Sequence, residues 1–414
     1  MKNNPWLSAI LLGTMGLLFG PFSKVTMPHG PEELPQKLAS VQHSHIIPFE
    51  LYKNFVFIPV NINGSKPYHF VLDTGANVSF LNETLANGLN IEIKHHHESS
   101  IGTGETSTRL GFAKGVLLGL DGIDVPASRV AVVPLADIES SVGRQIDGIL
   151  GADLFKRWVV TIDYAARTVT LDDPHDYAYH GNGDLIPLRM SGDRAFIKAI
   201  VTPVGSDSME GQFVIDTGDH LALGLHTPFV EKYKLRSTQK MIPHLSQGLS
   251  GESRNWWGRI VRFQLGKLAI DSPITTFAEA TKGSDADRSY DGVLGGEILR
   301  RFKVTLDYSR HQMILEPNTA FAETYDFDMS GLSLAAQGAN FATIKVRHVQ
   351  DDSPASEAGL KEGDILETID SRPAAGLGLQ QIGEIFKKDG QEYLLGVKHN
   401  DSLVHLILRT RRLI

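Results

Sequence analysis

Apolar and polar positions alternate in short bursts along most of the chain, and few stretches carry a helical period. Phe55–Ile62 and residues 195–202 are rich in apolar and β-branched side chains, which predicts strands. Phe70-Val71-Leu72 and Phe213-Val214-Ile215 are short apolar runs that lead directly into Asp-Thr-Gly, so each predicts a strand ending there. Residues 158–171 and 302–315 each hold two β-rich runs, around Tyr164-Ala165-Ala166-Arg167 and Tyr308-Ser309-Arg310-His311, and predict hairpins. Asp147 and Asp291 are expected at the start of a short helix, where a carboxylate can accept backbone N–H bonds. The N-terminus differs. Lys2 precedes an apolar run from Trp6 to Phe19. That run is short of the ~20 residues a bilayer-spanning helix needs, and it resembles a secretory signal. Residues 1–24 are therefore read as a signal peptide or N-terminal anchor, and 25–45 as a linker.

The strongest pattern is a long internal repeat, which sets expectations for the fold before any single motif does. Asp73-Thr74-Gly75 returns as Asp216-Thr217-Gly218. Asp147-Gly148-Ile149-Leu150-Gly151 returns as Asp291-Gly292-Val293-Leu294-Gly295, and Val160-Thr161-Ile162-Asp163-Tyr164 as Val304-Thr305-Leu306-Asp307-Tyr308. The lead-in Ile46-Ile47-Pro48-Phe49 matches Leu185-Ile186-Pro187-Leu188. The order is kept and the spacing nearly so, which predicts two tandem copies spanning residues 46–175 and 176–320.

Composition narrows the chemistry. The chain has 414 residues, 42% of them hydrophobic, with 40 glycines, which fits turn-rich β structure. Net charge is −8, so there is no broad electrostatic footprint for nucleic acid. Cysteine is absent, which excludes disulfides, thiolate nucleophiles and Cys-ligated metals. His95-His96-His97 invites a metal, but a strand puts only His95 and His97 on one face, so it reads as a solvated run. No metal or cofactor is expected.

One carboxylate at a strand end is ordinarily a turn residue. Two related by a duplication can meet face to face across a pseudo-twofold axis. Neighbouring carboxylates cannot both ionise easily and share a proton. One is then a base and the other an acid, able to activate a water against a peptide carbonyl. Gly75 and Gly218 would let backbone N–H groups approach the acids, and Thr74 and Thr217 could tie the loops together.

These motifs resemble the retropepsin/pepsin superfamily of aspartic proteases over roughly residues 45–320. The resemblance implies a mainly β protein. Two tandem retropepsin-like β-barrel lobes would form a pepsin-like bilobed unit, with Asp73 and Asp216 as catalytic dyad braced by Thr74, Gly75, Thr217 and Gly218. The Ile149-Leu150-Gly151 and Val293-Leu294-Gly295 segments would pack beneath the loops. A mobile hairpin would cover the cleft, with Gly102-Thr103-Gly104 and Gln247-Gly248-Leu249-Ser250-Gly251 as candidates. Trp256 and Trp257 are expected to pack rather than line subsites. One departure stands out: a small residue usually follows the glycine, as Ala76 does, but the second copy has Asp219 and then His220. Asp219 either raises the cost of ionising the pair, or turns outward, or pairs with His220.

Beyond Glu316-Pro317 the repeat ends. The run Ser353-Pro354-Ala355-Ser356-Glu357-Ala358-Gly359-Leu360-Lys361-Glu362-Gly363-Asp364-Ile365-Leu366 predicts a turn, a short helix and a Gly-Asp turn into a strand. It resembles the α+β PDZ domain of the bacterial kind, over residues 325–414. That implies Gly331, Leu332, Ser333 and Leu334 as a loop binding a peptide's terminal carboxylate, with residues 380–388 as the groove helix. The whole reading is an exported monomeric aspartic endopeptidase acting on peptide or protein substrates and binding peptide C-termini. It has no nucleic-acid partner, and it meets a membrane only if the N-terminal segment stays uncleaved. The rival reading is a protease fold without activity that works as a peptide-binding adaptor.

Overall fold

The computed structural model describes residues 44–414 except Pro126, Ser128, Thr238 and Asp401. The segment read as signal peptide or anchor, and the linker up to residue 43, lie outside the described residues. Among the described residues the fold is mainly β, with 45% strand and 16% helix. Among the described residues no helix is long and apolar enough to cross a membrane.

The repeated sequence folds into two sheets of the same strand order. In the first, Pro67–Leu72 is flanked by Phe55–Ile62 on one side and by Gly148–Leu150 on the other, with Phe80–Asn82 beyond. In the second, Met209–Ile215 is flanked by Arg194–Thr202 and Gly292–Leu294, with Leu223–Leu225 beyond. In both, the Gly-Ile/Val-Leu strand pairs in parallel with the strand entering Asp-Thr-Gly: Gly148 opposite Phe70, and Gly292 opposite Phe213. Asp147 and Asp291 thus precede strands, not helices. Their carboxylates accept the backbone N–H of His69 at 2.8 Å and of Gln212 at 2.7 Å, pinning the approach to each Asp-Thr-Gly. The short helices Ala152–Phe155 and Gly296–Leu299 start one turn later.

A third sheet joins the repeats. Its six strands run His45–Pro48, Thr168–Asp172, Val159–Asp163, Phe302–Asp307, Gln312–Pro317, Asp184–Pro187. The two expected hairpins form its centre, with Thr161 opposite Thr305 and their hydroxyls 2.9 Å apart. The matched lead-ins form its two outer edges. One apolar core runs through this sheet and both large sheets, including Phe70, Leu72, Phe213, Ile215, Val160 and Val304.

The last sheet is separate and has its own core of Ile344, Val346, Ile369, Ile382, Phe386 and Leu395. Leu332–Gln337 is its edge strand, and helix Ala374–Phe386 packs on it, interrupted at Gly378 with φ +68°. The predicted local elements appear as Pro354–Glu357, capped by the Ser353 hydroxyl, and strand Ile365–Ile369. Buried Arg301 ties the connecting segment down. Its guanidinium lies 3.6 Å from the Tyr325 ring centre and donates to the Glu297 carboxylate and to the carbonyls of Ala320, Glu323 and Thr324.

Candidate active site

Each Asp-Thr-Gly leaves its strand where the parallel partner ends. Asp73 N–H donates to Leu150 O and Asp216 N–H to Leu294 O, each at 3.0 Å. The two turns face each other and are cross-braced. Thr74 N–H donates to the Thr217 hydroxyl at 3.1 Å, and Thr217 N–H to the Thr74 hydroxyl at 3.0 Å. The Thr74 hydroxyl donates to Ile215 O and the Thr217 hydroxyl to Leu72 O, both at 2.7 Å. Four charge-free hydrogen bonds, with both threonines buried, fix the separation of the acids.

The carboxylates of Asp73 and Asp216 are half-buried and share a hydrogen bond. Gly75 N–H donates to Asp73 at 2.7 Å and Gly218 N–H to Asp216 at 2.9 Å. The glycines are needed for the close approach. A Cβ on Gly75 would sit 2.6 Å from the Asp216 carboxyl carbon, and one on Gly218 2.5 Å from an Asp73 oxygen. Loss of water raises the pKa of both acids. Asp216, which also faces the charge of Asp73, is raised well above the usual carboxylate range. The sequence-expected site residues Asp73, Thr74, Gly75, Asp216, Thr217 and Gly218 are therefore brought together. Gly331 immediately precedes the edge strand of the separate C-terminal sheet, and Leu332, Ser333 and Leu334, expected as a loop, open that strand.

The symmetry breaks at one position. Ala76 N–H simply adds a 3.1 Å bond to Asp73. Asp219 N–H likewise bonds the Asp216 carboxylate, but its own half-buried side chain accepts Leu221 N–H at 2.9 Å and is pushed up to about 7 by burial and by Asp216. The His220 ring lies against Phe55, 5.3 Å between centres, and the half-buried Asp219 carboxylate takes its hydrogen bond from the backbone of Leu221. Asp285 adds a further buried carboxyl beside Ser253, raised to about 6 by burial and by Asp219. Nothing local in the sequence marks Asp285, since a loop from elsewhere delivers it.

Both candidate hairpins form, and they interlock. The first is Ile93–Ser99 with Thr108–Ala113; the second is Ile242–Gly248 with Gly251–Arg259. Ser250 at the second tip donates its N–H to Thr103 O at 3.0 Å and accepts Thr106 N–H at 2.9 Å. Its hydroxyl bridges the N–H and C=O of Ile101, both at 2.8 Å. Leu249 and Ile101 then cover an apolar wall of Phe55, Phe57, Val71 and Leu135. Sequence reading found the tips by their glycines but not the role of Ser250. Trp256 donates to Glu279, and Trp257 stacks on His244 at 3.7 Å, so neither is placed as a cleft lining. The His95-His96-His97 backbone is strand, and the side chains of His95 and His96 lie outside the described set.

Two neighbouring acids with raised pKa values, held by uncharged donors beside an apolar cover, form an arrangement able to take one proton from a water and give another to a carbonyl. Residues 58–154 match the family model described as aspartyl protease. That stretch is under a quarter of the chain and contains the first Asp-Thr-Gly together with Gly148-Ile149-Leu150. The match supports a hydrolase acting on peptides. No curated protein matches the chain.

Proposed function

We propose that the protein is an aspartic endopeptidase whose dyad is Asp73 and Asp216. Residues 46–175 and 176–320 are its two lobes and 325–414 a PDZ domain that binds peptide C-termini. The observation that carries the reading is the mutual bracing of the two Asp-Thr-Gly turns, which sets the Asp73 and Asp216 carboxylates side by side.

In this mechanism the coupled pair carries one proton, held on Asp216, and Asp73 is the ionised base. A water between them attacks the scissile carbonyl carbon. Asp73 takes the water's proton as Asp216 protonates the carbonyl oxygen, giving a neutral tetrahedral diol. Collapse breaks the C–N bond: the amine nitrogen receives the proton from Asp73, and Asp216 recovers one from the diol. The apolar wall under Leu249 and Ile101 receives apolar substrate side chains and excludes bulk water, which strengthens the hydrogen bonds to the reacting atoms.

Asp219 favours the rival reading of an inactive binding protein, because its charge opposes ionisation of the neighbouring pair. With its pKa near 7, however, Asp219 is neutral through the acidic range, so the dyad keeps a single negative charge there. The test is Asp73→Asn, which keeps the fold and should abolish hydrolysis of peptides. Retained hydrolysis by that variant would remove the assignment.

A further inference from the structure

The second hairpin does not close the cleft by its tip alone. The C-terminal part of the chain holds it at its base and near its tip. At its base, Trp257 and Ile242 pack with Phe327 and Leu413, the Trp257 and Phe327 rings meeting edge-on at 5.4 Å. Near its tip, Gln247 and Glu252 are paired across the two strands. Arg347, on strand Thr343–Val349 of the C-terminal sheet, donates to the Gln247 amide oxygen and to the Glu252 carboxylate through one guanidinium nitrogen. These contacts lie two or three residues from Leu249 and Ser250, which make the tip closure.

The C-terminal domain is itself seated on the first repeat. Helix Ala136–Val142 lies along the edge strand Leu332–Gln337, and its Gly143 cap sits against the Leu379 side chain of helix Ala374–Phe386. That edge and that helix are the two walls between which an added peptide strand would lie under the proposed reading of this domain. The chain's own helix therefore covers the place a peptide would take. A second link reaches the dyad. Lys53 N–H donates to Gln380 Oε1 at 2.8 Å, and the neighbouring Asn54 amide donates to His220 O at 2.8 Å, one residue past Asp219.

We propose that the C-terminal domain is a latch in cis. Docked on helix Ala136–Val142, it holds the hairpin Ile242–Arg259 closed over the cleft through Arg347. The cleft opens when a peptide C-terminus takes the edge of Leu332–Gln337 and lifts the domain away. The latch itself rests on contacts present in the molecule; the choice of a peptide as its release rests on the proposed PDZ reading. A closed hairpin denies entry to substrate, so the docked form is the resting form and release raises turnover.

The experiment is backbone hydrogen exchange across residues 242–259 of the full chain, paired with peptide hydrolysis. It compares the unaltered protein, Arg347→Glu, and the charge exchange Arg347→Glu with Glu252→Arg. The Arg347–Glu252 pair is partly exposed, so its loss should speed exchange in the hairpin about three- to fivefold. The charge exchange should bring it back toward the original rate, and hydrolysis should follow the same order. Unchanged exchange in folded Arg347→Glu would overturn the latch, as would failure of the charge exchange to restore it. Faster exchange with no hydrolysis in any form would uphold the latch and overturn the protease reading instead. An octapeptide ending in a free apolar carboxylate should speed exchange as Arg347→Glu does, while its C-terminal amide should not. Equal effects, or none from either peptide, would overturn the peptide-release step.

Discussion

Asp219→Asn isolates the one place where the second Asp-Thr-Gly departs from the first. The substitution keeps size and keeps an oxygen to accept Leu221 N–H, and it removes only the charge. Asp219 is raised from 3.8 to about 7. The folded state therefore holds its proton more tightly than the unfolded chain, and stability falls as pH rises from about 4 through about 7. A gap of roughly three pKa units corresponds to about 4 kcal/mol of destabilisation once the group is fully ionised. Asp219→Asn should therefore unfold at higher denaturant concentration than the unaltered protein at pH 8, by about 4 kcal/mol. At pH 4 the advantage should shrink below about 1 kcal/mol, because Asp219 is then protonated in the fold and the pH lies close to its unfolded value of 3.8. The assay is urea unfolding followed by tryptophan fluorescence at pH 4, 6 and 8. A difference that stays flat across that range would refute the claim that Asp219 is buried against Asp216.

The same variant has a kinetic signature. Removing a negative neighbour lowers the proton affinity of Asp216, so the alkaline fall in hydrolysis should move to lower pH, read from a pH profile of kcat/KM. A shift to higher pH would mean that the ionised Asp219 shuts activity off. Thr217→Val should cost about 2–6 kcal/mol, since it strands the buried Thr74 N–H and Leu72 carbonyl, whereas Thr217→Ser should cost about 1 kcal/mol for its lost methyl; unfolding midpoints decide. Gly75→Ala should lose hydrolysis while the C-terminal core still folds, because its Cβ would collide with the Asp216 carboxyl; a folded, active Gly75→Ala protein would count against the close approach.

What the sequence revealed and what it hid follow from how local each interaction is. Asp73-Thr74-Gly75 and Asp216-Thr217-Gly218 were legible because a duplicated turn repeats its own letters, and their bracing threonines lie within them. The hairpins at 158–171 and 302–315 were legible for the same reason, and they form the centre of the joining sheet. Asp147 and Asp291 were misplaced because the strands that follow them pair in parallel with residues far back in the chain, Phe70 and Phe213. A three-residue strand held by such a partner carries no period of its own. The arrival of Asp285 near Asp219 and the grip of Ser250 on Ile101 and Thr103 both join residues of distant segments. So does the reach of Arg347 to Gln247 and Glu252. Only the folded chain brings these together.

The most direct test of the central claim is hydrolysis of a mixed peptide library from pH 3 to pH 8 by the purified protein and by Asp216→Asn. The account predicts cleavage by the unaltered protein on the acidic side of pH 7 and none by the variant, with both equally folded by circular dichroism. Cleavage that survives in Asp216→Asn, or none at any pH from the folded protein, would contradict it.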